Sequence, residues 1–283
     1  MLAIAGLREG SKSVWAYADT GGASPSWSAD TGGATYGVAI DSSDNVYAVG
    51  ENVGSKNLWK FNSSGTLVGS YNAGGSTAYA NCVALDSAGR IIVGHDAVSG
   101  VCFTRIAADL GSDVPFTSGL TGDFGLRVGI TSTDSIMILV LAANSRGVTT
   151  REYNSSLAQL WTNTNGVGAD IIFSSPGLVV HSDGDMSHAF QYSTVRALWH
   201  TKGTTGAGDG NDLAAWGNEL KGFGIDANDF IWLGTDALGM EKWRHDDGDD
   251  FYQVLDVAGE DIYSNIYNNG TITYVATWGA GGE

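Results

Sequence analysis

One aromatic position recurs along most of the chain at nearly constant spacing. The recurring aromatic residues are Trp27, Tyr71, Phe116, Trp161, Trp199 and Tyr252, at steps of 44, 45, 45, 38 and 53 residues. An aliphatic position recurs in parallel, at Ile40, Leu85, Ile130, Ile172, Ile225 and Ile266. Two positions that repeat in phase indicate one structural unit copied six times. A period near 45 residues with strand-forming sequence is typical of the blade of a β-propeller.

Composition supports an all-β fold. The chain has 41 Gly and three Pro, with Ser, Thr, Asn and Asp between short apolar runs, and 43% of its residues are hydrophobic. This pattern favours many short strands joined by tight turns around a sizeable core. Because no copy can bury its apolar face alone, we expect residues 1–283 to form one domain.

Each repeat divides into four strands, here called A to D in chain order. In the clearest copy, strand A ends at Asp41, strand B is Val46–Gly50, strand C is Leu58–Phe61 and strand D is Thr66–Tyr71. The sequence therefore predicts a six-bladed β-propeller of four-stranded antiparallel blades. The predicted blades are residues 37–72, 82–117, 126–162, 169–200, 222–253 and 260–279, the last completed by 1–32.

The last blade is predicted to be closed by both chain ends, because residues 1–32 resemble strands B, C and D and residues 261–279 supply strand A. This closure leaves no free sheet edge. It also leaves one candidate strand B too many, Leu2–Gly6 or Ile272–Thr277, and the sequence does not choose between them.

The clearest repeats resemble a known family. The run VAIDSSDNVYAVG, followed by LWKFNSSGTLVGSYNAGG, is similar to the Gly-rich bacterial propeller repeat called SBBP and more loosely to NHL repeats. The resemblance extends over residues 37–94 and 222–245 and is weak in between, where Thr131, Phe173 and Tyr267 replace the Asp of Asp41, Asp86 and Asp226. It implies a propeller fold and little about activity.

The recurrent residues have structural explanations. An Asp after strand A suits a turn in which its carboxylate accepts backbone N–H groups. The strand D aromatics are expected to fill the wedge between neighbouring blades, and an aromatic pair on strand C is expected to pack in the core. The predicted strand C pairs are Trp15/Tyr17, Trp59/Phe61, Phe190/Tyr192 and Trp243/His245.

Charge and cysteine content exclude several classes of function. The net charge of −17 argues against a nucleic-acid partner and against anionic membranes. Cys82 and Cys102 fall on strands A and C of one blade, beyond disulfide reach, and are expected to be free thiols. No apolar run is long enough to span a membrane, and no secretion signal is seen at the N-terminus.

Binding residues are expected on the loops from D to A and from B to C, which emerge at one face of a propeller. The longest predicted D-to-A connection is 200–222, and it is expected to lie at the centre of the binding face. The candidate binding residues are His95, Asp96, His181, Asp183, Asp209, Asp212, Trp216 and Asp236; Glu51 and Asn52 also lie on a predicted B-to-C loop.

A metal site has weak candidates. Asp183, Asp185 and His188, with His181, could bind Ca²⁺ or a transition metal, but Asp-Gly turns of this kind are ordinary hairpin chemistry. We therefore expect no cofactor, with Ca²⁺ as the alternative. The acidic run Asp246–Asp250 is expected to be a solvated turn.

Catalytic motifs are absent from the sequence: there is no Gly-x-Ser-x-Gly, Walker loop or His-Glu-x-x-His. Arg127 is the sole Arg on any predicted strand A, and Asp170 and Asn265 are the only carboxylate or amide residues assigned there. The sequence therefore predicts a non-catalytic, acidic binding propeller. The expected protein is a phage virion component of the tail, fibre or capsid that mediates attachment or assembly.

Two alternatives remain open: a propeller enzyme acting on carbohydrate or a lactone, and a secreted bacterial surface adhesin. The expected partners are virion or surface proteins or a host-surface glycan, with no nucleic acid and no membrane insertion. The expected location is the virion or the extracellular space.

Overall fold

A computed structural model describes most of the chain as β-strands joined by turns and loops, as the all-β prediction requires. The described residues are 1–9, 11–18, 24–75, 78–98, 101–117, 124–141, 147–166, 171–192, 195–201, 203, 205–213, 220–226, 228–235, 239–244, 251–255, 260–262, 267–268, 273–274 and 277–279. The chain divides into two compact units, residues 1–130 with 140–143 and residues 131–139 with 144–283, and each is described by itself.

The first unit consists of antiparallel sheets in which most paired strands are consecutive along the chain, while β12 pairs with β9. Its strands are β1 (Leu2–Glu9), β2 (Lys12–Tyr17), β3 (Trp27–Ala29), β4 (Thr35–Ile40), β5 (Val46–Val53), β6 (Lys56–Phe61), β7 (Leu67–Tyr71), β8 (Ala80–Leu85), β9 (Ile91–Val98), β10 (Val101–Ile106), β11 (Asp113–Thr117) and β12 (Phe124–Ile130). Strands β1–β3 form one sheet, and β4–β7 form a four-stranded sheet in chain order. Strands β8–β11 also pair in chain order. We call β4–β7 the first repeat and β8–β11 the second repeat.

The second unit has the same organisation. The remaining strands are β13 (Ile136–Leu141, whose last two residues belong to the first unit), β14 (Gly147–Tyr153), β15 (Gln159–Gly166), β16 (Ile171–Val180), β17 (Met186–Tyr192), β18 (Val195–Thr201), β19 (Gly208–Leu213), β20 (Leu220–Ile225), β21 (Phe230–Thr235), β22 (Gly239–Arg244), β23 (Phe251–Leu255), β24 (Glu260–Ile262), β25 (Tyr267–Asn268), β26 (Thr273–Tyr274) and β27 (Thr277–Gly279). The strands β12–β15 are counted as the third repeat, and two four-stranded sheets, β16–β19 and β20–β23, are the fourth and fifth repeats. The predicted four-stranded antiparallel sheets are thus confirmed for these repeats.

The turn from strand A to strand B has the same hydrogen bonds in five repeats. The N–H of the first turn residue donates to the carbonyl four residues later, and the N–H of the fourth turn residue donates back to the carbonyl of the first. The first turn residues are Asp41, Asp86, Thr131, His181 and Asp226, at steps of 45, 45, 50 and 45 residues. The fourth turn residues, all with positive φ, are Asp44, Gly89, Asp134, Gly184 and Asp229. Gly, and less often Asp, is the residue type that adopts this left-handed conformation at low cost.

The side chain of the first turn residue satisfies the backbone of the turn. The Asp41 Oδ1 atom accepts the N–H of Ser43 and of Asn45, both at 2.9 Å. Thr131 does the same with a hydroxyl, whose Oγ1 atom accepts the Ser135 N–H at 2.9 Å. The predicted turn role of the Asp after strand A is confirmed, and so is Thr131 as its replacement.

The predicted register of the fourth repeat is wrong. His181, not Phe173, occupies the first turn position, and Val180, not Ile172, is the last strand A residue before it. The reason is an irregularity in β16, where Ile172 lies opposite Gln191 and Gly177 lies opposite Ala189. Between these two pairs, β16 has four residues but β17 has only one. The extra residues precede the turn, so every later position of this repeat lies further along the chain than the predicted period places it.

This shift also moves the strands that follow. Trp199 lies on β18, the third strand, and not on strand D as predicted, and the predicted strand C pair Phe190/Tyr192 lies on β17. Strand D of this repeat is β19, which pairs with β18 and contains no aromatic residue. The predicted loop 200–222 therefore contains the end of β18 and the whole of β19.

Two strand D tryptophans show why Gly occupies the turn between strands C and D. The Trp27 indole N–H donates to the Ser63 carbonyl at 3.1 Å, and a Cβ atom on Gly65 would lie 2.7 Å from the ring. The Trp161 indole N–H donates to the Gly203 carbonyl at 2.6 Å, and a Cβ atom on Gly206 would lie 2.8 Å from that ring. The rings pack directly on turn backbone, as expected for structural aromatic residues.

Apolar clusters lie between the sheets of each unit. In the first unit, Tyr47, Leu58, Ile91 and Ile106 belong to one buried cluster, and in the second unit Val179, Leu198, Phe223 and Leu233 belong to another. Cys82 and Cys102 are buried on strands A and C of the second repeat and are not joined by a disulfide, as the sequence predicts.

The predicted closure of the last sheet is not observed among the described strands. β1 pairs with β2 in the position of strand B, whereas β24 pairs with β27 and β25 with β26. None of the segments that the structure describes forms a helix with the length and hydropathy of a transmembrane span.

Candidate functional site

Polar side chains gather at one end of the first two repeats, opposite the A-to-B turns. We call this end, where strand A begins and strand B finishes, the loop end. Glu51 on β5 and Asp96 on β9 occupy the same position of successive repeats, 45 residues apart. Tyr36, Tyr79 and Asn81 lie at the start of strand A or directly before it. We call these five residues the tyrosine–carboxylate cluster.

Glu51 is held by the segment that enters strand A. Its Oε2 atom accepts the Ala34 N–H at 3.1 Å, and its own N–H donates to the Ala34 carbonyl at 3.0 Å. The second carboxylate oxygen, Oε1, accepts the Tyr36 hydroxyl at 3.2 Å. A Cβ atom on Gly33 would lie 2.7 Å from Oε2, so glycine leaves the space that this carboxylate fills.

Asp96 is held in a corresponding way by the second repeat. Its Oδ1 atom accepts the Asn81 side-chain amide at 3.1 Å, and its N–H donates to the Tyr79 carbonyl at 3.0 Å. Its backbone also lies opposite Phe124 of β12 in the antiparallel ladder. Among the hydrogen bonds between described residues, none reaches the Asp96 Oδ2 atom.

Two tyrosines flank these carboxylates. The side chains of Tyr36 and Tyr79 are 43% and 47% exposed, although both residues are large and apolar in part. Partial burial, the charge and hydrogen bond of Glu51 and the nearby Tyr79 and Asp96 raise the pKa of Tyr36 to about 12. The Tyr36 hydroxyl therefore stays protonated at neutral pH. Glu51, Tyr79 and Asp96 each contribute to its raised pKa.

His95 lies beneath the cluster. Its side chain is fully buried, with Nδ1 2.9 Å from the Asp96 carbonyl oxygen and Nε2 3.0 Å from the Thr104 hydroxyl. Burial lowers the pKa of His95, against the smaller opposing effects of the Asp96 carbonyl and carboxylate. The imidazole is therefore neutral at pH 7 and faces away from solvent.

This arrangement combines three chemical capacities. Asp96 offers a carboxylate oxygen that can accept a proton, Tyr36 offers a protonated hydroxyl, and the two exposed rings offer flat apolar faces. Carboxylates with aromatic platforms bind polar ring compounds, because the ring faces pack on C–H groups while the carboxylates accept hydroxyl hydrogens.

The candidates His181, Asp183, Asp185 and His188 lie elsewhere, in the A-to-B turn of the fourth repeat and the start of β17, and not in a B-to-C loop as predicted. Asp183 Oδ1 accepts the Asp185 N–H at 2.9 Å, and Asp185 Oδ1 accepts the Gly203 N–H at 2.8 Å. His181 Nε2 is 2.7 Å from the Ser187 hydroxyl, and His188 is buried. In the part of the chain described, no three His, Cys, Asp or Glu side chains come together in a way that could hold a metal ion.

The other candidates are only partly described. The backbones of Asp209 and Asp212 belong to β19, opposite His200 and Ala197, so they lie on a strand and not in a loop. Trp216 and Asp236, like Asp170 and Asn265 of the predicted inner strands, lie outside the described residues.

His95 and Asp96 were among the residues predicted from the sequence, whereas Tyr36, Tyr79 and Asn81 were not. Asn81 on β8 also corrects the view that Asp170 and Asn265 are the only amide or carboxylate residues of strand A. A signal was present: Tyr36 and Asn81 are 45 residues apart, and both interrupt the small and aliphatic residues of strand A. Polar or aromatic residues at one repeated position of an inner strand indicate a shared surface.

No family model matches the chain, and no curated protein matches it. Solved structures are similar in fold. Virginiamycin B lyase from Staphylococcus aureus aligns with a TM-score of 0.64 and 13% identity over 87% of this chain and 78% of its own. A gluconolactonase from Xanthomonas campestris aligns with a TM-score of 0.53 and 13% identity over 86% and 82%. The Dos1 propeller aligns with a TM-score of 0.61 and 10% identity over 88% and 76%.

These comparisons show a β-propeller-like fold. They also correct the function expected from the sequence, because the similar structures include enzymes: a lyase, a gluconolactonase and a hydrazine synthase. The main expectation, a non-catalytic phage structural protein, is wrong on this comparison. The alternative of a propeller enzyme agrees better with it.

Proposed function

We propose that the protein is a propeller hydrolase that opens a sugar lactone at the tyrosine–carboxylate cluster. The observation that carries the proposal is the Tyr36 hydroxyl, which donates to Glu51 Oε1 at 3.2 Å; burial first, and then Glu51, Tyr79 and Asp96, raise its pKa to about 12. One protonated donor beside an accessible carboxylate is the minimum that acyl transfer to water requires. The alignment with a gluconolactonase supports the choice of substrate class.

The proposed roles follow from the hydrogen bonds. Asp96 is the general base, because Asn81 fixes its Oδ1 atom and no hydrogen bond between described residues reaches its Oδ2 atom. The base takes a proton from water as the water oxygen attacks the lactone carbonyl carbon. Tyr36 donates its hydroxyl to the carbonyl oxygen as negative charge develops there. The ring C–O bond then breaks, and the leaving oxygen takes up the proton to give a hydroxy acid.

Glu51 and Tyr79 prepare the site. Glu51 accepts the Tyr36 hydroxyl before the substrate binds, and its own position is fixed by the Ala34 N–H. Tyr79 has a half-exposed side chain and raises the pKa of Tyr36. A five- or six-membered sugar ring would pack between the two tyrosine rings, with its hydroxyls near the carboxylates.

The test is a hydrolysis assay with a panel of aldonolactones, in which the protons released by the hydroxy acid product are measured in weak buffer. We expect turnover of at least one sugar lactone and a kcat that is lower by about 100-fold or more in Asp96→Asn, since the base is then lost. The matched control is Asp109→Asn, which alters an exposed turn carboxylate that caps the Gly111 N–H.

The control variant should hydrolyse the lactone at the wild-type rate. The proposal fails if no lactone of the panel is opened, or if Asp96→Asn and Asp109→Asn have equal activity.

We also propose that the repeats form six blades, with β1–β3 and the C-terminal strands as the sixth. Five A-to-B turns account for five blades, and β1 pairs with β2 where a strand B is needed. Deleting residues 1–20 should expose a sheet edge and cause aggregation, whereas a monomeric deletion variant with unchanged melting would contradict this closure.

A further inference from the structure

His95 has a single tautomer that its hydrogen bonds dictate. A carbonyl oxygen only accepts, so the contact of 2.9 Å with the Asp96 carbonyl requires a hydrogen on Nδ1. In the neutral ring, Nε2 then carries the lone pair and accepts the Thr104 hydroxyl at 3.0 Å. The first bond lies within the end of β9, and the second connects β9 to β10, the next strand of the same sheet.

The ring is also fixed from the side of the preceding repeat. A Cβ atom on Gly74 would lie 2.3 Å from His95 Nδ1, so the backbone of residue 74 covers the imidazole, and only glycine fits there at a φ of +80°. Asn57 holds this segment: its amide donates to the Ala73 and Ala78 carbonyls at 2.7 and 2.9 Å. The imidazole is thus buried against a segment that is itself held by hydrogen bonds.

We propose that His95 is the positioning residue of the cluster: it orients the Asp96 carboxylate through the Asp96 carbonyl. The hydrogen bond to the carbonyl of the adjacent residue fixes the peptide plane that follows Asp96. That plane and the ladder contact opposite Phe124 determine the direction in which the carboxylate points. This inference rests on the proposed role of Asp96 as the base, and it assigns to His95 no contact with the substrate.

Two substitutions distinguish the contribution of Nδ1 from that of Nε2. In His95→Asn the amide N–H replaces Nδ1–H and can still donate to the Asp96 carbonyl, whereas in His95→Gln the amide reaches the position of Nε2 and Thr104. We expect His95→Asn to keep kcat within about threefold of wild type and His95→Gln to lower it by about 10- to 100-fold, since small misplacement of a catalytic group has effects of this size. KM should change little in both variants.

The controls distinguish the failure of this inference from the failure of the proposed function. If Asp96→Asn retains activity, the proposed base is wrong. If Asp96→Asn is inactive while His95→Asn and His95→Gln behave alike, Asp96 is the base and His95 does not position it. Thermal unfolding of both His95 variants shows whether unequal stability explains unequal rates, which would also overturn the inference.

A spectroscopic measurement keeps the inference testable if either variant fails to fold. In the wild-type protein labelled with ¹⁵N, the His95 ring should show a protonated Nδ1 and an unprotonated Nε2 at pH 7. The opposite tautomer would overturn the inference, because Nδ1 would then carry no hydrogen to donate to the Asp96 carbonyl.

Discussion

The two ends of the first and second repeats carry carboxylates in different surroundings. At the turn end, Asp86 Oδ1 accepts the N–H groups of Ala88 and Arg90 at 3.1 and 2.9 Å, and its Oδ2 forms an ion pair with the Arg90 side chain at 2.5 Å. At the loop end, Asp96 has one oxygen bonded to Asn81, and Glu51 shares one with the half-exposed Tyr36.

The difference separates structural carboxylates from available ones. The turn-end carboxylates satisfy their own turns, and the turn position that they occupy recurs in five repeats, with Thr131 and His181 in place of Asp in two of them. The loop-end groups are held by neighbours but retain capacity to bind a ligand. We therefore expect changes at the turn end to alter stability, and changes at the loop end to alter activity.

The largest loss of stability is expected for Asp86→Ala. The change leaves two turn N–H groups without their acceptor and the Arg90 side chain, which is 33% exposed, without its ion pair. We expect the free energy of unfolding to fall by about 2–3 kcal/mol, less than for a fully buried pair because Arg90 reaches solvent. Urea denaturation measures it. An equal loss in Asp96→Ala would break the comparison between the two ends.

A smaller loss is expected for Asp41→Ala, about 1–2 kcal/mol at neutral pH, because this carboxylate is more exposed. Burial raises the pKa of Asp41, but the hydrogen bonds from Asn45, Ser43 and Tyr47 outweigh it and hold the pKa below its usual value. Its contribution is therefore present above about pH 4 and is lost as the pH falls through the lowered pKa. The pH range from 5 to 2 brackets the usual aspartate pKa of about 3.9. Over this range, the free energy of unfolding should depend less on pH in the variant than in the wild-type protein.

The smallest change is expected from the protonation of His95. Because burial lowers its pKa, the unfolded chain takes up a proton below about pH 6.5 more readily than the folded protein does. Stability contributed by the neutral ring is thus complete above that pH and decreases as the pH falls. The pH dependence of unfolding between about pH 7.5 and 5 should be shallower in His95→Asn. An unchanged slope would show that His95 titrates normally.

Local chemistry explains what the sequence predicted correctly. The A-to-B turns of Asp41, Asp86 and Asp226 were predictable, because a capping carboxylate and a left-handed Gly or Asp three residues later lie within one short segment. The strand D packing of Trp27 and Trp161 followed from a constant period.

The errors have physical causes as well. The irregular pairing of β16 adds residues without a local signature, and His181 replaces the usual carboxylate at the turn, so the period was assigned to the wrong residues. The tyrosine–carboxylate cluster was found only in part, because Tyr36 and Asp96 are 60 residues apart and meet through packing of successive sheets. His95 was assigned to a binding loop, whereas the fold buries it.

The most direct test of the loop end as the functional end is a crystal structure with an aldonolactam, a neutral analogue of the sugar lactone that resists hydrolysis. The account predicts the lactam between the rings of Tyr36 and Tyr79, with its carbonyl oxygen on the Tyr36 hydroxyl and the Asp96 carboxylate facing its carbonyl carbon. A lactam bound at the turn end, beside Asp41 or Asp86, or bound elsewhere with the tyrosine–carboxylate cluster empty, would contradict it.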